Sequence, residues 1–414
     1  MLALAGQQVV AEQLAEGRPA ALVMNTHITG LAVARSLGRA GVPVLGLDKE
    51  RGGAGQHSRF LAGLGLVPGP EVADGAALAD HLLRLGPSFA ERPVLFATND
   101  DWVLALARHR AALEEHYRLP FAPYEVVQRA LGKTALYRAC EVLGVAAPRS
   151  WYLDDTDPAD VAARVPYPCV LKPDDSRGFY DAFRAKVFVV QTPAELLARV
   201  AEAAGHGLTL VAQEWVETEP GGFWSVASYV GADGTARGVF TGRKLEQWPV
   251  GFGTSCLADA RWDPAIAEAG LAVLRELGYW GISEIEFVQD AATGRHLLLD
   301  VNTRPWKWVG LPVAAGVDLP LLAYADAVGE PFTAGPQVDG TRWVFLRDYV
   351  QLVRARAATV PEAQVTKDEW TALLAGRPGR LVDGIHDPDD PGPSYDLLWG
   401  ALAGGSGPAY SCAC

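Results

Sequence analysis

The sequence predicts an α/β protein of two or three domains, and three observations carry that expectation. An apolar run, a helical stretch and a second apolar run open the chain as a βαβ unit. Strands and helices then alternate through its middle, and two carboxylate-bearing apolar strands meet in a hairpin near residue 290. Its 414 residues are ample for a large core, at about 100–200 residues per domain.

The elements follow in order. Ala20–Met24 and Pro43–Leu47 are short strands joined by a helix reaching Ala40, and Asp48 closes the second of them. An acid there is what a dinucleotide-binding unit sets against a ribose, but the loop Asn25–Gly30 holds one glycine where that fingerprint wants three. A plain doubly wound sheet is therefore expected rather than an NAD or FAD site. Val94–Ala97 is a further strand, and Thr98-Asn99-Asp100-Asp101 at its carboxyl end either faces a substrate or caps the helix starting near Trp102. A helix runs from Lys133 to Val142. Beyond it come a strand Cys169–Pro173, a polar loop Asp174–Asp181, a strand Ala185–Val190, a helix Pro193–Ala203 and a strand ending at Gln213-Glu214-Trp215-Val216.

Composition narrows the function. Hydrophobic residues make up 49% and charged residues 21%, so disorder cannot dominate. With 36 basic against 49 acidic residues the net charge is −13, which disfavours nucleic acid as a partner. Only seven of the basic residues are lysines: Lys49, Lys133, Lys172, Lys186, Lys244, Lys307 and Lys367. The longest candidate membrane span, Val309–Val328, is interrupted by Gly310, Pro312, Gly316, Asp318 and Pro320, so no membrane is expected. Five cysteines, few and odd in number and with no signal peptide before them, point to reduced thiols in a cytoplasm.

The hairpin is the most informative segment. Gly281–Val288 and His296–Asn302 flank the turn Ala291-Ala292-Thr293-Gly294. If Val288 pairs with Leu298, Glu286 stands opposite Asp300 and Glu284 opposite Asn302, all on one face. Two facing carboxylates repel unless a positive group lies between them. Oxygen donors from Glu286, Asp300 and Asn302 suit Mg²⁺, which completes its octahedron with phosphate and water oxygens; an arginine between the acids, or one acid turned to solvent, would also relieve the repulsion. Lys172 ends an apolar strand immediately before Pro173, Lys133 begins a helix, and Arg243-Lys244 follow a strand Gly238–Thr241. These charges either converge on a polyphosphate held by the metal or are separate surface groups.

In the order Lys133, Val170-Leu171-Lys172-Pro173, Gln213-Glu214-Trp215-Val216, Arg243-Lys244, Ile285-Glu286-Phe287 and Leu299-Asp300-Val301-Asn302-Thr303-Arg304, the sequence resembles the ATP-grasp enzymes, from about Ala20 to Glu330. The stretch Gly242–Pro249 is further similar to a branch of carboxylate-amine ligases that includes D-aspartate ligases. The resemblance implies an N-terminal doubly wound domain over residues 1–122, an ATP-grasp domain over 123–335 with a lid at about 151–209, and a small appended unit over 336–414. It implies that Lys133, Lys172 and Lys186 contact ATP, that Gln213, Glu214 and the backbone of Val216 hold adenine, and that Glu217 or Glu219 reaches the ribose. Glu286, Asp300 and Asn302 would bind Mg²⁺, and Arg243, Lys244 and Arg304 would serve the transferring phosphoryl group.

The implied reaction joins a small-molecule carboxylate to an amine through an acyl phosphate, releasing ADP and phosphate. The resemblance also allows a homodimer, another nucleophile such as a thiol, or nucleotide binding without turnover. Two departures stand out. The loop after Lys172-Pro173 carries one glycine where the family is glycine-rich, and Asp300 replaces a more common glutamate. Outside the motif set, Trp306-Lys307-Trp308 would either line a substrate pocket or pack in the core, His27 would either meet substrate or be an ordinary loop residue, and Cys412-Ala413-Cys414 lacks the further ligands a metal site needs.

Overall fold

The computed structural model describes residues 17–251, 253–359 and 380–402. Four apolar runs in the first hundred residues, β1 (Ala21–Met24), β2 (Val44–Asp48), β3 (Leu61–Leu66) and β4 (Val94–Ala97), form a parallel sheet in the order β3-β2-β1-β4. Strands β1, β2 and β4 are buried throughout, as a sheet covered on both faces requires. The strand order reverses between β1 and β4. That reversal opens a crevice at their carboxyl ends.

A second sheet, β5 (Ser150–Tyr152), β6 (Cys169–Pro173), β7 (Phe188–Val190) and β8 (Leu210–Glu214), is antiparallel in the order β5-β8-β6-β7. Together with the helices Pro158–Arg164 and Pro193–Gly205 it encloses its own small core, with Val161, Leu171, Phe179, Val190 and Leu196 at its centre. The segment read as a polar loop, Asp174–Asp181, is instead largely a helix, Ser176–Phe183. Asp175 caps it by accepting from the Gly178 N–H at 2.9 Å, while Phe179 and Phe183, one turn apart, stack on Phe188.

The third sheet carries the hairpin. β9 (Phe223–Val230), β10 (Ala236–Trp248), β11 (Thr254–Ala260), β12 (Gly281–Gln289), β13 (His296–Asn302), β14 (Arg342–Val344) and β15 (Leu381–Asp383) run in the order β13-β12-β9-β10-β11-β14-β15. Arg243 and Lys244 lie inside β10 rather than after a strand, because β10 stays paired with β9 as far as Lys244 and with β11 as far as Trp248. One face of this sheet, with Trp224, Val226, Ile285 and Phe287, belongs to a core shared with the helices Tyr124–Leu131, Lys133–Leu143 and Pro264–Leu277. The other, with Ala227, Tyr229, Phe240 and Ile282, packs with residues of the helices Ile28–Arg39 and Leu319–Val328 and with Trp306 and Trp308. Beyond residue 335, β14 and β15 extend the same sheet at its far edge. The apolar stretch Val309–Val328 is broken into Gly310–Ala314 and Leu319–Val328, and among the described residues no helix is long and apolar enough to cross a membrane.

Candidate active site

The register of β12 and β13 sets Glu286 opposite Asp300 and Glu284 opposite Asn302. The expected pairing of Val288 with Leu298 does not occur: Val288 pairs with Leu297 and Phe287 with Leu298, so Leu299 is an extra residue in a β-bulge beside Asp300. Its carbonyl, released from the ladder, accepts from the Tyr137 hydroxyl at 2.7 Å and from the Lys172 ammonium at 3.4 Å. Lys172 also donates to the Tyr137 hydroxyl at 2.8 Å, which ties the second sheet to the hairpin.

Each facing carboxylate has a lysine. Asp300 takes Lys133 at 2.6 Å, from the start of the helix Lys133–Leu143. Glu286 takes Lys244, reached across the one intervening strand β9, because Glu286 pairs with Ser225 of β9 while Lys244 pairs with its neighbour on the same face, Phe223. Burial acts against the charge on Asp300, but Lys133 and Lys172 prevail and hold its pKa below the ordinary carboxylate value. Burial also acts against the ammonium of Lys244, and Glu286 and Glu284 prevail, raising its pKa. Burial lowers Lys172 to about 8, the neighbouring Asp300 offsetting only part of that effect. Lys186, on the second sheet's connection into β7, is lowered by the protein around it and feels Glu286 and Asp300 in the opposite sense. Four of the seven lysines thus act on one patch of charge.

Arg243 is not among these groups. On a strand successive side chains face opposite ways, so Arg243 lies with Trp224 on the face shared with the helices Tyr124–Leu131 and Pro264–Leu277. There it pairs with Asp259 of β11, its Nε 3.0 Å from the carboxylate. Arg304 does reach the site but is engaged. Its guanidinium grips Asp100 at 3.1 and 3.0 Å and donates to the Asn302 side-chain oxygen at 3.2 Å. The Asn302 amide in turn donates at 3.0 Å to Glu284, which also accepts from Ser225 and whose pKa burial raises.

The donor set fits a hard dication: carboxylates of Glu286 and Asp300 and the side-chain oxygen of Asn302 lie on one face of adjacent strands. Among the described residues no three acidic, histidine or cysteine side chains close a cage. Mg²⁺ is a hard cation that takes one or two carboxylates and fills its shell with phosphate oxygens and water.

The residues expected around adenine lie at the end of β8. Gln213 is buried, its amide donating to Ser150 at 3.0 Å and its oxygen accepting from Tyr137 at 3.4 Å, so it braces the sheet. Glu214 accepts from the Arg149 N–H at 2.8 Å. The Val216 N–H and C=O make no hydrogen bond among the described residues. Glu217 accepts from the Trp215 indole at 2.7 Å, and Glu219 is exposed. In the loop after Pro173, Asp174 accepts from the Thr134 N–H and hydroxyl, both at 2.7 Å, joining that loop to the helix Lys133–Leu143.

Two further expectations resolve. Asp48 accepts from the Thr26 N–H at 2.7 Å and from Thr26 and Gln56 side chains, so it is committed within its own sheet and unavailable to a ribose. Trp306 and Trp308 are buried edge to face, and Lys307 pairs with Asp348 and Thr254, so this segment is core and not pocket wall. The Cys412/Cys414 pair lies outside the described residues. Sequence reasoning missed Tyr137, which no motif marks. It left Asp100 ambiguous between cap and contact: Asn99 is the cap, accepting from the Trp102 N–H at 3.1 Å, and Asp100 is free to reach Arg304.

No family model matches the chain. It is similar to the D-aspartate ligase of Enterococcus faecium, 22% identical over 256 residues, or 59% of this chain and 61% of that one. The N5-carboxyaminoimidazole synthetase of Staphylococcus aureus, solved with ADP, superposes with a TM-score of 0.60 at 13% identity, covering 88% of this chain and 91% of that one. The L-amino acid ligase of Bacillus licheniformis gives a TM-score of 0.55 at 17% identity over 77% of this chain and 75% of that one. The fold is the ATP-grasp fold.

Proposed function

We propose that the protein is an ATP-dependent ligase that joins a small-molecule carboxylate to an amine through an acyl phosphate, releasing ADP and phosphate. The observation that carries this reading is the pairing of Glu286 and Asp300 across the bulged hairpin, with Lys133, Lys172, Lys186 and Lys244 arrayed around them. When the carboxylate attacks the γ-phosphorus, two anions approach, and the barrier falls only if fixed positive charge meets them. Glu286, Asp300 and Asn302 would hold Mg²⁺, which supplies charge cancellation and orients the phosphates. Lys133 and Lys244 are paired with those same acids and would turn to phosphate oxygens where the acids hold the metal. Lys172 and Lys186 add charge from the second sheet, and that subdomain, joined to the hairpin through Lys172, would exclude water from a hydrolysable intermediate. The backbone of Val216 would read the adenine edge, with Glu214 and Glu217 beside it. The likeness to a D-aspartate ligase and an L-amino acid ligase supports amino acids as reactants. Three buried free thiols, Cys140, Cys169 and Cys256, support a reducing cytoplasm.

The test is incubation with Mg·ATP and pools of amino acids. ADP release dependent on two reactants is expected, and AMP as the only nucleotide product would overturn the reading. Glu286→Gln and Asp300→Asn should each abolish ADP release while leaving the circular dichroism spectrum unchanged. Full activity in both would mean that the hairpin is not the metal site.

A further inference from the structure

Arg304 and Asp100 form a buried ion pair joining the first sheet's crevice to the hairpin site. The arginine side chain is 2% exposed, whereas Asp100 keeps 32% of its side chain open. Four N–H···O contacts occupy the guanidinium: two to Asp100, one to Asn302 and one to the Pro305 carbonyl at 3.2 Å. An anionic group can engage it bidentately only by displacing Asp100.

We propose that Asp100 is the residue that makes Arg304 select a zwitterion, an amino acid, over a plain carboxylate. The proposal rests on the ligase reading and names the group within it that reads the amine. Inserting an amino acid exchanges one ion pair for two, its carboxylate taking Arg304 and its ammonium taking Asp100. A plain carboxylate would leave Asp100 without a cation, and a plain amine would leave Arg304 a buried charge without an anion; stranded charges are what make a site reject the wrong ligand.

Independent features place a ligand there. Asp100 lies where the order β3-β2-β1-β4 reverses, the place at which open α/β sheets hold ligands. The loops after β1 and β4 are clamped together, Thr98 Oγ1 donating to the carbonyls of Met24 and Asn25 at 2.8 and 2.9 Å. Asn25 is held at φ 65°, with the helix Ile28–Arg39 pressed so close that a Cβ on Gly30 would come within 2.3 Å of the Asn25 carbonyl. The Asn25 side chain is half-buried, and left-handed backbone at a non-glycine residue clusters at ligand-binding sites. Thr98, two residues before Asp100, holds the Asn25 carbonyl, and we take Asn25 as a second polar group for the same ligand.

The experiment is isothermal titration of the full chain in Mg·ADP with D- and L-amino acids, each paired with its des-amino analogue, aspartate against succinate and alanine against propionate among them. The parent protein is expected to prefer at least one amino acid over its analogue by about tenfold or more. In Asp100→Asn that ratio falls towards one, with ADP affinity unchanged. Asn25→Gly, which keeps the left-handed backbone and removes the amide, lowers the ratio by a smaller factor and carries the test if Asp100→Asn does not fold. An unchanged ratio in the folded variants, a parent that binds the analogues as tightly, or no binding of any pool member overturns the proposal. Because binding is read without turnover, a collapse of the ratio in a protein that releases no ADP would sink the ligase reading alone.

Discussion

At Lys172, burial and charge oppose each other. The ordinary lysine value of 10.5 falls to about 8 because the ammonium is enclosed, and Asp300 restores only part of the loss. Between those two values the folded protein holds fewer protons than the unfolded chain, so this group adds stability as pH rises through the window and withdraws it as pH falls back to 8. A bound polyphosphate reverses the preference, since its charge favours the ammonium. ATP affinity should therefore weaken as pH rises above about 8, and Lys172→Met should both weaken binding and remove that pH dependence, measured by titration with a non-hydrolysable ATP analogue. Lys244 and Arg243 make a second contrast one residue apart. Lys244→Met should abolish ADP release, whereas Arg243→Gln, on the opposite face of β10, should leave it close to the parent value. The paired basic residues at 243 and 244 were legible in the sequence, but which of them faces the site depends on where β10 begins and on its register with β9.

Among the elements, the β12–β13 hairpin was the most legible, because period-two alternation and a turn between two apolar runs mark both strands. The bulge at Leu299 was not. An extra residue in a ladder leaves no compositional mark when it is one more leucine in an apolar run, yet it supplies the carbonyl that engages Tyr137 and Lys172. The helix Ser176–Phe183 was missed for a related reason: acids and a glycine read as turn, while the helical signal was only a cap at Asp175 and two phenylalanines four residues apart. Phe179 is fully buried with Phe183 and Phe188 around it. Phe179→Ala should cost about 3–5 kcal/mol locally. Hydrogen exchange is expected to show amides of β6, β7 and β8 losing protection before those of β9 to β13, and uniform loss across all three sheets would contradict an independent core.

Across the whole molecule, residues from distant parts of the chain hold the parts together. Asp390, completely buried, accepts from Arg35 Nε at 2.8 Å, from Ser58 at 2.7 Å and from the Arg59 N–H at 2.8 Å, fastening residues 380–402 to the first domain. Asp390→Ala leaves Arg35 a buried charge with carbonyl partners only, a change that typically costs about 3–5 kcal/mol. Thermal melting should shift down accordingly, and a melting point equal to the parent's would mean that the C-terminal segment adds nothing to stability.

What the sequence by itself determined was local and periodic: the first βαβ unit, the strand Cys169–Pro173 that carries Lys172, and the hairpin of the two acid-bearing strands. These follow from spacing, which the chain carries in one dimension, whereas the facing of Glu286 with Asp300 came with the bulge at Leu299. The tertiary structure alone decided that Lys133 and Lys244 each take one of those acids, that Arg243 turns away, that Asp48 and Lys307 are spent on internal pairs, and that Asp100 closes on Arg304. Each is a choice of partner between segments from about 20 to about 200 residues apart, set by sheet order and packing. No periodicity records it, because an ion pair depends on where two elements dock and not on what lies beside either residue in the chain.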